Sequence, residues 1–361
     1  VTRLCYCTNV HPAEDLPGIL RQLDAYAVPV REKLGADRLG LGLWLAADVA
    51  AGLASSADEL RKFRAELDAR GLDVITMNAF PYGGFHDDVV KLAVYEPRWT
   101  DRRRLRYTQD CVTVLNGLLP DDAAYGSIST LPLGWREPWT AEDDTAALDA
   151  LAELTRTLRS VPRPIKLAVE PEPGCVLDTV ADTVEWLAPR VDPEYIGLCL
   201  DTCHLAVSFA DPVETVRSIT AAGLEIVKVQ ASAALHVEDP KAAYEELEEF
   251  AEPRYLHQVR ELAPCGTILT ADDLPEALET LPAVGPWRVH FHVPLHAEPD
   301  LPLASTTDVL TQVLNTVPGD RVVEVETYTW NVLPDRHRQD LVDGIAAELA
   351  WAEGRLTLEV S

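Results

Sequence analysis

The sequence predicts an α/β protein whose parallel strands close into a (β/α)8 barrel. Short strand-like apolar runs alternate with longer stretches of helical spacing along the chain, the pattern of a parallel sheet with helices outside it. The alternation repeats about eight times, the number that closes such a sheet on itself. No glycine-rich phosphate loop follows the first run, which disfavours an open, doubly wound sheet.

Leu4–Thr8 reads as the first strand, and Leu16 to Leu34 has helical spacing. Leu39–Leu45 is the second strand. Ser56-Ala-Asp-Glu59 is a capping box that opens a helix to Arg70, and Gly71 ends it. Val74–Asn78, Tyr125–Thr130 and Ile165–Val169 read as strands, separated by helices at Arg104 to Leu119 and from Thr140 to about Leu158. A helix over Val176–Leu187 leads to the strand Ile196–Leu200. Asp211-Pro212 starts a helix with proline in its first turn, and Ile226–Val229 is again a strand. Trp287–Val293, a helix from about Thr307, Val322–Val325 and a last helix to about Trp351 follow. This makes nine strand candidates for eight places. The stretch Ala231–Gly285 is too long for an ordinary βα connection. Residues of about 232–296 are therefore read as an insertion between the seventh and eighth strands, with Trp287–His296 either its returning arm or a displaced barrel strand. No Gly/Ser linker divides the chain, so residues 1–361 read as one barrel domain.

Hydrophobic residues make up 47% of the 361, enough for one large core. No apolar run reaches the roughly 18–20 residues of a membrane span. Val1-Thr-Arg-Leu-Cys5 lacks the charged-then-apolar order of a signal peptide. The seven cysteines form no Cys-x-x-Cys pair, which predicts reduced thiols and a cytoplasmic setting. A formal charge of −28 opposes nucleic-acid binding. The local basic run, Arg102-Arg-Arg104 with Arg106, falls in a helix start. A small-molecule partner is expected, and self-association is left open.

In such barrels the chemistry gathers at the C-terminal ends of the strands. The sixth strand ends in Asp201-Thr-Cys-His204, which brings a carboxylate and an imidazole to one mouth, a divalent-metal pattern. Asp201 could equally cap the next helix with His204 packed on it. The fifth strand ends in Glu170-Pro-Glu-Pro-Gly174, where the prolines favour a loop that aims Glu170. Glu172, two residues on, is expected to face solvent. The last ends in Glu324-Val-Glu326, and Glu326 is preferred because it lies at the end of the run. Acids at three strand ends repel one another unless a cation joins them. His290, His292 and His296 alternate on one strand face, which suits either metal binding or plain hydrogen bonding. His11, Asn78, His86 and His236 follow strand ends and are candidate substrate contacts. Trp44 is either core filler or a stacking wall for a sugar ring.

These residues resemble the xylose-isomerase-like superfamily of sugar isomerases, epimerases and endonuclease IV. The resemblance implies a divalent metal (Mn²⁺, Zn²⁺, Mg²⁺ or Co²⁺) held by Glu170, Asp201 and Glu326, with His204 touching substrate. The chain departs from the pattern at the seventh strand, where Gln230 stands in place of a histidine. The fourth ligand is then Gln230 through its amide oxygen or a histidine of the insertion, best His292. More narrowly, Cys5-Tyr-Cys-Thr-Asn-Val-His-Pro12, Asn78-Ala-Phe-Pro-Tyr-Gly-Gly-Phe-His86, Glu170-Pro-Glu-Pro-Gly-Cys175 and Glu324-Val-Glu-Thr-Tyr-Thr-Trp330 are similar to the metabolite traffic protein EboE family, which implies a sugar-like or cyclitol-like substrate.

Three functions follow from these readings. The first is a metal-dependent isomerase, epimerase or related lyase acting on a keto-polyol through an enediolate, with Glu170 and Glu326 exchanging the proton. The second is a barrel that binds or hands over a metabolite without catalysis. The third is an endonuclease IV-like phosphodiesterase. It is disfavoured by acidity and by Trp44 and Asn78 standing where its metal site needs histidines.

Overall fold

The computed structural model describes residues 2–319 and 321–358. Helix starts are set by side chains that satisfy the free amides of the first turn. Asp15, Ser56, Thr140, Thr179 and Asp211 accept from Gly18, Glu59, Asp143, Asp182 and Glu214. The helix expected from Val176 begins at Val180 because Thr179 and Asp182 form a reciprocal capping box there.

Between these helices lie β1 (Arg3–Cys7), β2 (Leu39–Leu43), β3 (Leu72–Asn78), β4 (Gly126–Thr130), β5 (Ile165–Val169), β6 (Ile196–Asp201) and β7 (Ile226–Ala231). Then come β8 (Leu235–Val237), β9 (Val259–Leu262), β10 (Ile268–Ala271), β11 (Trp287–Val289) and β12 (Leu303–Ser305). The last strand is β13 (Val322–Val325). Strands β1 to β7 and β13 form a closed barrel, β1-β13-β7-β6-β5-β4-β3-β2, with parallel pairing throughout. Register places Gln230 of β7 opposite both Asp201 of β6 and Glu324 of β13.

The ninth strand candidate is resolved by pairing. Trp287–Val289 belongs to a separate five-stranded antiparallel sheet, β10-β9-β11-β8-β12, and Val322–Val325 closes the barrel. This sheet extends past residue 296, because Leu303–Ser305 pairs with Leu235–Val237. It is fastened to the strand-end loops by Arg260–Asp178, Arg136–Asp272 and Lys91–Asp273. Gln258 Nε2 also donates to the Pro173 carbonyl. Among the described residues no helix is long and apolar enough to cross a membrane, and all seven cysteines are free.

Inside the barrel, Glu324 and Lys228 are fully buried and paired at 2.5 Å, and Lys228 Nζ also donates to Ser129 Oγ at 3.0 Å. Burial alone would pull the ammonium down, but the attraction of Glu324, first among the opposing effects, helps hold it above its ordinary value. Gly42 makes room for the pair, since a Cβ there would meet the Glu324 carboxyl at 2.3 Å. Removing one partner leaves an uncompensated buried charge. Lys228→Met is therefore expected to lose about 3–5 kcal/mol of stability in urea unfolding. Lys228→Met/Glu324→Leu should recover most of that loss. Equal stability for both variants would show that the charge itself costs little.

Candidate functional site

Asp201 closes β6 and caps the short helix Thr202–Val207. Its Oδ1 accepts from the His204 amide and from Ser232 Oγ, both at 2.8 Å. That leaves Oδ2 buried and without a hydrogen-bond partner. Glu170 follows β5, anchored by its amide to the Thr130 carbonyl, and its Oε2 is likewise unpartnered. Glu326 follows β13, where Oε1 accepts from Asn9 Nδ2 at 2.7 Å and Asn78 Nδ2 at 3.0 Å. His292 comes from the segment after β11, which returns to the barrel when the Val293 amide donates to the Ala233 carbonyl. Its Nδ1 donates to the Glu326 carbonyl at 2.8 Å. Nε2 lies 4.0 Å from Asp201 Oδ2 and has no hydrogen-bond partner.

One oxygen each of Glu170, Asp201 and Glu326 lie within 4.8 Å of one another, and Asp201, His204 and His292 meet the same limit. All are buried. Burial, then the Glu326 and Asp201 charges, hold the Glu170 carboxyl well above the usual range. Glu326 is raised too, chiefly by burial. Unpartnered carboxylate and imidazole atoms converging in a dry site suit a divalent cation, which would satisfy all of them at once.

Beside this cluster lies a second set. Tyr95 Oη donates to Glu172 Oε1 at 2.5 Å, and Gln258 Nε2 donates to Tyr95 Oη at 2.9 Å. His204 and His290 approach through Nε2 at 3.0 Å. Burial raises Glu172 to about 8 and pushes His290 well below its ordinary value, helped by His204. Both sets open into one pocket of about 520 Å³, whose upper walls include Phe80, Phe85, Val94, Tyr255, Leu256 and Tyr328.

The structure brings Glu170, Asn78, His204, His292 and Glu326 to this pocket, with Asp201 in the acidic cluster. Gln230 lies alongside: its Oε1 accepts from Cys199 Sγ at 3.8 Å, and its Nε2 is buried without a hydrogen-bond partner. Four expected contacts do not line the pocket. His11 stacks on Tyr26 and bonds Tyr6. Trp44 donates from Nε1 to the Pro81 carbonyl and packs on Phe85. His86 Nε2 binds the Asn9 carbonyl at 2.6 Å. His236 sits on β8 beside the exposed Glu238. His296 leaves the face of His290 and His292 and stacks on Trp330, because the strand ends at Val289. Asn9, Glu172, His290, Tyr95 and Tyr255 carry the site instead. Asn9, at the end of the first strand, had the positional signal.

Fold and pocket together define a parallel α/β barrel with a buried carboxylate–histidine centre at the C-terminal mouth. The chain belongs to the xylose isomerase-like TIM barrel family, which matches residues 32–253. No curated protein matches it significantly. Among solved structures it is similar to an IolI protein with a bound zinc atom (13% identity, 99% of each chain, TM-score 0.55). A xylose isomerase-like TIM barrel protein from Mycobacterium smegmatis, in complex with magnesium, shares 14% identity over 100% of this chain and 98% of that one, TM-score 0.57. An L-ribulose 3-epimerase shares 11% over 100% and 96%, TM-score 0.57.

The site is tied to the last helix, Leu341–Leu358, by Glu348. Its Oε1 accepts from the Leu295 amide and Thr327 Oγ1, and its Oε2 from Trp330 Nε1. The carboxyl thus joins the segment carrying His292 to the one carrying Glu326. Burial raises it from 4.5 to about 7. The native chain keeps a proton that the unfolded chain releases, so this contribution is fully present below about pH 4.5. It is lost as pH rises to about 7. Glu348→Gln should gain on wild type by about 3 kcal/mol between pH 4 and 8. A pH-independent difference in urea midpoints would sink this reading.

Proposed function

We propose that the chain is a divalent-metal-dependent isomerase or epimerase of a keto-polyol, sugar-like or cyclitol-like. The observation that carries this reading is the convergence of Glu170, Asp201 and Glu326 with three unpartnered buried atoms, Glu170 Oε2, Asp201 Oδ2 and His292 Nε2. Glu170, Asp201, His292 and Glu326 would hold the cation. Gln230 is not among them in this reading, because its oxygen faces the Cys199 thiol. The bound cation supplies a Lewis acid that makes the hydrogen next to a chelated carbonyl acidic.

The remaining chemistry belongs to the side chains. Glu170 and Glu326 are carboxyls whose proton affinity is raised by burial, which suits them to take a proton from carbon and return it. Asn9 and Asn78 fix the aim of Glu326 by holding one of its oxygens. The apolar upper walls keep water from the reacting carbon. The L-ribulose 3-epimerase of the same fold supports the reaction class. The quoted sequence stretches support assignment within the family to the EboE group and its metabolite pathway.

Two measurements test this. Mn²⁺ titration should show binding retained in Gln230→Ala and weakened on the order of tenfold or more in His292→Ala. Equal binding in wild type and His292→Ala would remove His292 from the ligand set. Metal-loaded protein in D₂O with ketoses, inososes and their phosphates should place deuterium next to the carbonyl, and Glu326→Gln should abolish the exchange while remaining folded. A ligand that binds without any exchange would favour a metabolite carrier.

A further inference from the structure

We propose that the site takes an unphosphorylated keto-polyol that carries an aromatic ring, with the ring lodged against the apolar walls. This substrate class rests on the isomerase reading of the acidic floor. The walls have few polar groups to spare. Tyr255 Oη donates to the Phe85 carbonyl at 3.1 Å. The Pro81 carbonyl accepts from Trp44 Nε1 and Tyr107 Oη, and Arg104 Nη1 donates to the Ala79 and Phe80 carbonyls. The Val90 and Lys91 amides both donate to the Arg254 carbonyl. These groups are spent within the protein, so this side of the pocket presents ring faces and methyl groups. A substrate hydroxyl placed there would lose water and gain no partner.

Charge opposes a phosphate in the same place. Lys91 is the one lysine or arginine among the described residues lining the pocket. Its Nζ is held by Asp273 Oδ2 at 2.6 Å and by the Glu252 carbonyl at 3.5 Å. A phosphate group brings about two negative charges. It would meet no free lysine or arginine, with Glu170, Glu172 and Glu326 lining the opposite side.

What the walls do offer is aromatic. Phe85, Tyr255 and Tyr328 form one joined surface, with centroids 5.2 Å apart for Phe85 and Tyr255, 5.6 Å for Phe85 and Tyr328, and 4.9 Å for Tyr255 and Tyr328. A further ring gains from tilted or edge contacts with such rings beyond the area it buries. The apolar surface also runs outward. Val89 and Leu92, which flank the pocket residues Val90 and Lys91, are 63% and 47% exposed. An apolar strip leading from solvent into a pocket marks a binding surface. At about 520 Å³ the pocket falls within the roughly 300–1,000 Å³ of sites for drug-sized ligands, which leaves room for a ring beside the polyol.

Isothermal titration of the full chain, saturated with Mn²⁺, tests the proposal with ketohexoses and inososes, each as the free polyol, its phosphate and its O-benzyl ether. The benzyl ether should bind roughly tenfold or more tighter than the free polyol, and the phosphate no tighter than the free polyol. Leu256→Asn, a change in the half-buried part of the wall, should shrink the benzyl preference severalfold. Equal binding of free polyol and benzyl ether, or tightest binding of the phosphate, overturns this substrate class. A preference undiminished in Leu256→Asn does the same. The wild-type ratios decide even if Leu256→Asn does not fold. Exchange of the same ligands in D₂O separates the two readings. Exchange in the free polyols with no benzyl preference removes this inference and leaves the proposed function standing. A benzyl preference without any exchange upholds the ring-binding wall and removes the isomerase reading. Binding by no member of the panel overturns both.

Discussion

Three carboxylates meeting in a water-poor barrel mouth are the constraint on which the rest of the site depends. Glu170, Asp201 and Glu326 cannot all ionise at such distances without a compensating charge. The surrounding residues answer this in part. Asn9 and Asn78 donate to Glu326, and Ser232 and a helix-start amide donate to Asp201. Lys228, the one buried lysine nearby, is committed to Glu324. Left without a hydrogen-bond partner are Glu170 Oε2, Asp201 Oδ2 and His292 Nε2, with Asn9 Oδ1 and Gln230 Nε2 beside them. Lys228 thus compensates Glu324 lower in the barrel, while the three carboxylates above it have no lysine or arginine partner among the described residues.

The inserted sheet changes what the barrel can do. A plain βα connection after β7 would leave the mouth with Gln230 as its polar group on that side. The insertion instead brings His290 and His292 back across the opening. His290 is fixed by Gln258 and His292 by the Glu326 carbonyl. Imidazoles thus reach the mouth from a different part of the chain than the seventh strand. The anchoring of that part to β13 through Glu348 means that the helix Leu341–Leu358 supports the site although it contributes no residue to the pocket.

Most of the barrel was legible because each strand is an apolar run ended by turn chemistry, and each helix announces itself by a cap. The acids at strand ends were legible for the same reason: a carboxylate directly after a buried run has few bland explanations. The sheet over the mouth was less so, since strands of three or four residues carry little periodicity. Residue type misled where position mattered more. His11 drew notice as an imidazole, but Asn9, two residues earlier, points at Glu326, while His11 stacks on Tyr26. Trp44 was read from its chemistry, yet its indole is spent on the Pro81 carbonyl. Tyr95, Tyr255 and Gln258 lie far from any strand end of the barrel, so nothing local marks them as pocket residues.

The pocket's division into two halves has a mechanistic consequence. Its floor is polar: Asn9, Asn78, Glu170, His292 and Glu326. Its upper walls carry Phe80, Phe85, Val94, Tyr255, Leu256 and Tyr328. Polar groups of a bound molecule find partners on the polar side, where Tyr95, Glu172, His204 and His290 also line the pocket, because an unpaired buried oxygen against the apolar walls is costly. The same walls lower the local dielectric, which strengthens the attraction between a developing negative charge on the substrate and any cation below it. Orientation and acidification therefore arise from one arrangement, an apolar cover over an acidic floor. The covering sheet supplies part of both, with Tyr255 and Leu256 in the walls and His292 in the floor.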